Sequence, residues 1–228
     1  MNLLAVETSS NACSVALQLD DEIVERHVVE AKSHTRLLLP MIVDLLAGSG
    51  LVAADLDALV LGNGPGSFIG MRLGASVVQG LAYAAGRNIV AVSSLAAVAA
   101  EAMTAESVQF VAVAQDARMS EVYLAGFARG GDGIPVPYGS EAIHPIGRIE
   151  FLAENTGRWL AAGEGWRRYP ALLASNSASI AGRSEICLPR ARYLLGLANR
   201  TMEKGGDISP EQLTPAYLRD RVATPPQL

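Results

Sequence analysis

Lysine is almost missing from this chain. Of 228 residues, 18 are basic, and these divide into 16 arginines and two lysines, Lys32 and Lys204, against 23 acids. The net charge of −5 excludes a dominant nucleic-acid surface, because each phosphate held needs a cation to release its counterions. Cysteine is as scarce. Cys13 and Cys187 lie far apart and neither belongs to a CxxC pair, which points to two buried thiols in a reducing compartment, hence the cytoplasm. The three histidines, His27, His34 and His144, are never four residues apart. No helical pair of imidazoles is available for zinc, and no metal is expected. The apolar uncharged stretches at residues 73–86 and 88–100 fall short of the roughly 20 residues of a membrane span. The opening MNLLAVE has no basic segment of the kind that begins a secretory signal.

Apolar side chains are plentiful. Half the residues are hydrophobic and 18% are charged, where a soluble domain carries about 25% charged residues. This excludes a disordered chain and leaves apolar surface beyond the needs of a core. The surplus marks either an interface or alanine-rich packed helices. The length allows one large domain or two compact ones of roughly 100 residues each.

Residues 3–6 read as a buried strand and 8–11 as a turn; 13–19 and 23–29 continue an antiparallel meander. Leu38, Ile42, Leu45 and Leu46 recur at helical spacing in a helix over 35–46, closed by Gly48 and Gly50. A strand at 56–61, a helix over 69–85, a strand at 89–92 and a helix over 95–103 follow. Three strands and then alternating helices and strands are the layout of a ribonuclease H-like α/β domain. A second unit begins near Gln109, with strands at 110–114 and 122–127 around a turn at 116–119. Its order of strand, acid, turn and strand echoes the first hairpin and suggests an internally duplicated fold. Beyond the GGDG at 130–133 the pattern loosens. Helices are expected at 146–154 and 190–204 and a strand at 159–162, so the second half is expected to be truncated. The division falls as 1–106 and 107–228, with a loose tail at 224–228.

The sharpest motif is GNGPGSFIGMRLG, residues 62–74. It joins a predicted strand to a predicted helix, where backbone N–H groups can cradle an anion. Its glycines permit tight turns and close backbone approach. No Lys-Ser or Lys-Thr follows, so it is not a Walker loop. Gly66, Gly70 and Gly74 recur every four residues and could let a neighbouring helix come close; a plain strand-to-helix connection is the alternative. Ser9 and Ser67 lie in turns without a His–Asp pair to activate them, so they read as caps rather than nucleophiles. Trp159 and Trp166 flank Gly163, Glu164 and Gly165 and read as core and rim aromatics. Arg118 reads as a surface ion-pair partner, and Arg190 and Arg192 as a basic helix start able to touch a phosphate backbone.

From the loop onward the sequence resembles a known family. The segments GPGSFIGMRLG at 64–74, LAVETSSNACSVAL at 4–17, DARMSEVY at 116–123 and PAYLR at 215–219 are similar, in order, to those of the TsaB (YeaZ) family. These are bacterial proteins needed to place threonylcarbamoyl on the adenosine beside the anticodon of certain tRNAs. The sequence departs from that pattern at Glu7, where Asp is commoner, and at Ile69, where Thr is usual. The resemblance implies an actin-like, Hsp70-like ATPase fold of two related halves. It also implies a catalytically silent partner of TsaD, the larger relative that carries the metal and the transfer chemistry, with the ATPase TsaE joining them.

That resemblance makes Glu7, Ser9, Gly64, Gly66, Ser67 and Asp116 the candidates for a vestigial nucleotide cleft. The chain itself is expected to carry no catalytic group and no cofactor. The first two long helices are apolar over more than the roughly 100° a sheet-covering helix needs. Leu38, Met41, Ile42 and Leu45 on the first, with Met71, Gly74, Ala75, Val78 and Leu81 on the second, are the expected partner interface. A homodimer is expected to use the same patch when the TsaD-like partner is absent, and tRNA to be met only through the complex. The competing readings are a sugar- or acetate-kinase-like enzyme with Glu7 and Asp116 holding magnesium, a metallopeptidase-like enzyme, and a plain homodimeric structural protein.

Overall fold

Four consecutive apolar residues, Leu3 to Val6, are buried in β1 (Asn2–Glu7). A strand covered on both faces belongs at the centre of a sheet. The computed structural model describes residues 1–155 and 158–218; the expected loose tail and Arg219 lie outside the described residues. β1 pairs antiparallel with β2 (Ala12–Leu19), which pairs antiparallel with β3 (Glu22–Val29). On its other side β1 pairs parallel with β4 (Ala58–Gly62), which pairs parallel with β5 (Asn88–Val92). The sheet order is β3-β2-β1-β4-β5.

The second sheet repeats that plan. β6 (Phe110–Arg118) pairs antiparallel with β7 (Glu121–Arg129), and β7 with β8 (Pro135–Pro145). β9 (Trp159–Ala162) lies parallel to β6, and β10 (Ile180–Arg183) parallel to β9. Reading each unit from its own first strand, both sheets have the order third, second, first, fourth, fifth. The faint echo between hairpins is thus a duplication of the whole sheet.

The helices show which unit was shortened. α1 (His34–Gly48, 15 residues) and α2 (Phe68–Ala85, 18 residues) cover the outer face of the first sheet. The corresponding face of the second sheet has only a 3₁₀ segment, Glu150–Asn155, and the short helices α4 (Glu164–Arg168) and α5 (Pro170–Ser175). α3 (Ser94–Glu106) and α6 (Ala191–Glu203) pack together between the two sheets. α3 packs on β6, β7, β8 and β9, whereas α6 packs on β1 to β5, so each unit's last helix lies on the other unit's sheet. The alanines at 96, 97, 99 and 102 of α3 are all buried, which absorbs part of the apolar surplus as close packing.

Three expectations need correction. β8 was not foreseen, because it is an edge strand, mostly exposed, with prolines at 135, 137 and 145 and a left-handed Gly139; edge strands lack the alternation that marks a half-buried one. The helix expected at 146–154 is a 3₁₀ segment starting at Glu150. The chain after α6 does not stay with the second unit. Ile208 forms a bridge with Ile89 of β5, and Leu213 is buried in the core under α2. A division at 106/107 therefore parts the two sheets but cuts through one shared core.

Candidate functional site

Between the two units lies a cleft of about 370 Å³. Its walls are the β1–β2 turn (Ser9, Ser10, Asn11), the glycine loop (Pro65 to Ile69), the start of α3, the β6–β7 turn and Glu164. Of the candidate cleft residues, Ser9, Gly66, Ser67 and Asp116 line it, while Glu7 and Gly64 lie beneath its floor.

The glycine loop is fastened rather than open. Gly66 and Gly70 face the β1–β2 turn so closely that a Cβ would sit 2.1 Å from the Ser9 carbonyl oxygen and 2.0 Å from that of Thr8. A Cβ on Gly74 would meet the Thr8 hydroxyl at 2.4 Å, and one on Gly64 the Ser94 backbone nitrogen at 2.5 Å. The neighbour that Gly66, Gly70 and Gly74 admit is thus the β1–β2 turn, not a helix, while Gly64 meets the first residue of α3. The loop's amides are engaged internally. Asn63 N–H donates to the Val92 carbonyl (2.7 Å), Gly64 to Ser94 Oγ (3.1 Å) and Ser67 to the Ser9 carbonyl (2.6 Å). Ser67 caps α2 by accepting from Gly70 N–H at 3.3 Å. Three of the loop's donors, those of Asn63, Gly64 and Ser67, therefore hold the loop to its neighbours.

The two candidate acids are held differently: both oxygens of Asp116 are paired, whereas Glu7 is bonded through Oε1 and its Oε2 is buried without a hydrogen-bond partner. Glu7 is fully buried, and its Oε1 accepts from Ser9 N–H at 2.6 Å. Burial, opposed by hydrogen bonds from Ser9 and Ser94, pushes its carboxyl above the ordinary range. A Cβ on Gly62 would lie 2.0 Å from its Oε2, so the carboxyl is boxed in against backbone. Asp116 Oδ1 accepts from Arg118 N–H (2.9 Å) and the Tyr169 hydroxyl (2.7 Å), while Oδ2 pairs with Arg168 Nε (3.0 Å) and Arg118 (3.3 Å). Two guanidiniums thus neutralise the acid that a metal would need. The turn that holds Arg118 is strained, since Arg118, Met119 and Ser120 have φ of +63°, +55° and +60°. Glu164 is the remaining cleft carboxyl. Burial raises its pKa, Asp116 adds to the rise, and Arg118 and Arg168 oppose it. Among the described residues no three His, Cys, Asp or Glu side chains gather as metal ligands would.

Elsewhere the structure revises two expectations. Arg190 does not face outward. It pairs with Glu25, Nε to Oε2 at 3.1 Å, and approaches Glu101 at 3.7 Å. Glu25 also accepts from Arg192 N–H (3.1 Å), and Ser14 Oγ from Ala191 N–H (3.0 Å). Side chains of the first sheet thus cap the first turn of α6. Trp159 and Trp166 are both core, the latter donating from its indole N–H to the Ala112 carbonyl at 2.9 Å.

The interface set needs the larger correction. Leu38, Met41, Ile42, Leu45, Gly74, Ala75 and Val78 are buried against the chain's own first sheet, Leu81 is half-buried beside them, and Met71 is buried beside residues 216–218. The wider apolar stripe of each helix is its core face. The exposed apolar residues are Leu39 (51% exposed) and Val43 (61%) on the opposite, narrower stripe of α1, and Ile69 (73%) at the start of α2, where it lines the cleft. Tyr83 near the end of α2 is 72% exposed, and Leu73 and Val77 are half-buried between the faces. The i, i+4 pair Leu39 and Val43 was the available signal; it was overshadowed by the richer stripe next to it.

Twin sheets of this order around a shared pair of helices, with a cleft between them, make this a protein of the actin-like ATPase fold, with Asp116 of its cleft tied up in internal ion pairs. The family model described as "TsaD: tRNA N6-adenosine threonylcarbamoyltransferase" matches residues 28–224. The chain is 36% identical to the tRNA threonylcarbamoyladenosine biosynthesis protein TsaB of Escherichia coli K12 over 98% of its own length and 96% of that protein's. It is 35% identical to the protein of the same name from Haemophilus influenzae, covering 97% of this chain and 95% of that one. The solved structure of YeaZ from Pseudomonas aeruginosa superposes with a TM-score of 0.86 at 37% identity, covering 95% of this chain and 99% of that one. The chain belongs to the TsaB family.

Proposed function

We propose that this chain takes part in forming threonylcarbamoyladenosine in tRNA as a non-catalytic partner of a TsaD-type transferase. The observation that carries this reading is the state of the cleft. Glu7 is fully buried and does not line the cleft, Asp116 is held by two arginines and a tyrosine, and the glycine loop is tied to the β1–β2 turn, β5 and α3 through Ser67, Asn63 and Gly64. That arrangement argues against a magnesium-dependent kinase, which would need free acids facing the phosphates. The same cleft offers no donor set for a metallopeptidase among the described residues.

The partner face is the outer surface of α1, centred on Leu39 and Val43, with the exposed side of α2 beside it. Helices that expose a second apolar stripe bury it in a bundle with another helix pair. A second copy of this chain occupies the face when the transferase is absent, and a TsaE-like ATPase joins the assembled pair. With 23 acids against 18 bases, the isolated chain contributes little to tRNA affinity, and the complex supplies the cations. Its work belongs to the cytoplasm, in keeping with a role in tRNA modification. The test is calorimetric titration of the TsaD-type subunit with the wild-type chain and with a Leu39→Asp, Val43→Asp double variant. Binding should weaken at least a hundredfold in the variant, with thermal unfolding nearly unchanged. Equal affinity for both places the interface elsewhere.

A further inference from the structure

After α6 the chain turns at Gly205, in the left-handed region at φ +69°, and runs back across the first unit. Ile208 exchanges two hydrogen bonds with Ile89 at the edge of β5 (2.8 and 2.9 Å). The Pro210 carbonyl accepts from Gln79 of α2 at 2.6 Å, and Leu213 is buried against the core. The segment then reaches the glycine loop, where the Asn63 carboxamide reads the backbone on both sides of Pro215. Its Nδ2 donates to the Thr214 carbonyl and its Oδ1 accepts from Ala216 N–H, each at 3.0 Å. Next, the Tyr217 hydroxyl accepts from Arg72 Nε at 2.8 Å, and the Arg72 guanidinium lies 3.6 Å from the centre of the Phe68 ring.

Those contacts fall at one end of the cleft. Ala216, Tyr217 and Leu218 close a cavity of about 50 Å³ whose far wall is Tyr123 of β7, in the second unit. Pro65, Gly66, Phe68 and Tyr123 line both this cavity and the larger cleft. Leu218 also packs on the apolar layer between the sheets. The segment therefore touches the glycine loop and both units. Its two stretches are anchored differently. Residues 208–213 hold by a β-bridge and buried apolar contact, whereas 214–218 hold by side-chain hydrogen bonds, a half-exposed aromatic stack and the partly buried Leu218. A stretch held by few, exposed bonds opens at lower free energy than the structure around it.

We propose that residues 214–218 are a latch. Engaged, they fix the glycine loop and shut the Tyr123 end of the cleft; released, they free the Asn63 carboxamide and open that end, while the bridge at Ile208 keeps the strap attached. Asn63 is then a positioning residue of the glycine loop, a role independent of any partner. The test is residue-resolved amide exchange on the full chain, wild type against Asn63→Ala. The Ala216 amide, which loses its acceptor, should exchange roughly tenfold faster or more. The Ser67, Met71 and Tyr123 amides should speed up with it, while those of Ile208 and Ala5 stay unchanged. Tyr217→Phe, which removes only the hydroxyl, should give the same pattern about threefold, and it serves if Asn63→Ala does not fold. Acceleration confined to 214–218 would overturn the proposal, since the tail would then fray without moving the loop. No acceleration anywhere would overturn it as well.

Discussion

Gly70→Ala is the sharpest physical test of the packed loop. The residue lies in the first turn of α2, where alanine is ordinarily favoured over glycine by about 0.5–1 kcal/mol. Here the new methyl would sit 2.0 Å from the Thr8 carbonyl oxygen, where ordinary contact begins at 3.4 Å. The atom it meets is backbone of a buried turn, which cannot swing aside as a side chain would. The loop must retreat by more than about an ångström, which overpacking studies put at about 1–3 kcal/mol. The retreat also breaks the Thr8 hydroxyl's bond to the Gly70 carbonyl (2.8 Å) and strains Ser67 N–H to Ser9 (2.6 Å), each worth about 1 kcal/mol. Net of the helix gain, the loss should be about 2–4 kcal/mol, or roughly 5–15 °C in Tm for a chain of this size. Urea unfolding followed by circular dichroism measures it. Gly80→Ala is the control, because a Cβ there meets nothing within 4 Å; it should stabilise by about 0.5–1 kcal/mol. A Gly70→Ala protein as stable as wild type would refute the reasoning.

Other substitutions probe separate parts of the account. Ile42→Asp should abolish folding rather than partner binding alone, because it places a charge in the core between α1 and the first sheet; a folded, merely monomeric variant by size-exclusion chromatography would contradict this. Arg190→Ala leaves Glu25, 5% exposed, without its cation. Because Arg190 is itself 35% exposed, the cost should sit near the lower end for a broken buried pair, about 3 kcal/mol, measured by denaturant unfolding. Glu7 carries a raised pKa, so the folded chain keeps a proton that the unfolded chain releases. Its contribution is therefore fullest below the ordinary carboxylate range and is lost as pH rises through the raised value. Glu7→Gln, neutral at every pH, should gain stability relative to wild type as pH rises above the ordinary carboxylate range, and a pH-independent difference would count against the burial argument. Calorimetry with ATP and magnesium should detect no micromolar binding to the isolated chain.

Much of the first unit was readable because its signals are local. The meander, the helix carrying Leu38 to Leu46 and the Ser67 cap each rest on patterns a few residues long. The second unit was harder for a physical reason. β8 is an exposed edge, and α4 and α5 are too short, at five and six residues, to show a helical period. The cleft was half legible: Asp116 and the glycine loop were identified as sites, but not that Arg168 and Tyr169, more than 50 residues further on, would occupy the Asp116 carboxylate. The interface failed for a subtler reason. Periodicity finds the apolar stripe of a helix but does not tell which of two stripes faces the sheet, so the richer one, with Ile42 and Val78, was taken for the outside.

The central claim is that the outer helix face matters and the cleft chemistry does not. It is tested most directly by threonylcarbamoyladenosine content, measured by mass spectrometry, in tRNA from cells whose only copy of this protein is a variant. Glu164→Gln, which neutralises the remaining cleft carboxyl, should leave the modification at its wild-type level. Leu39→Asp with Val43→Asp should remove it, although the chain stays folded. The opposite outcome, loss with Glu164→Gln and full modification with the helix-face variant, would contradict the account and make this chain a catalyst.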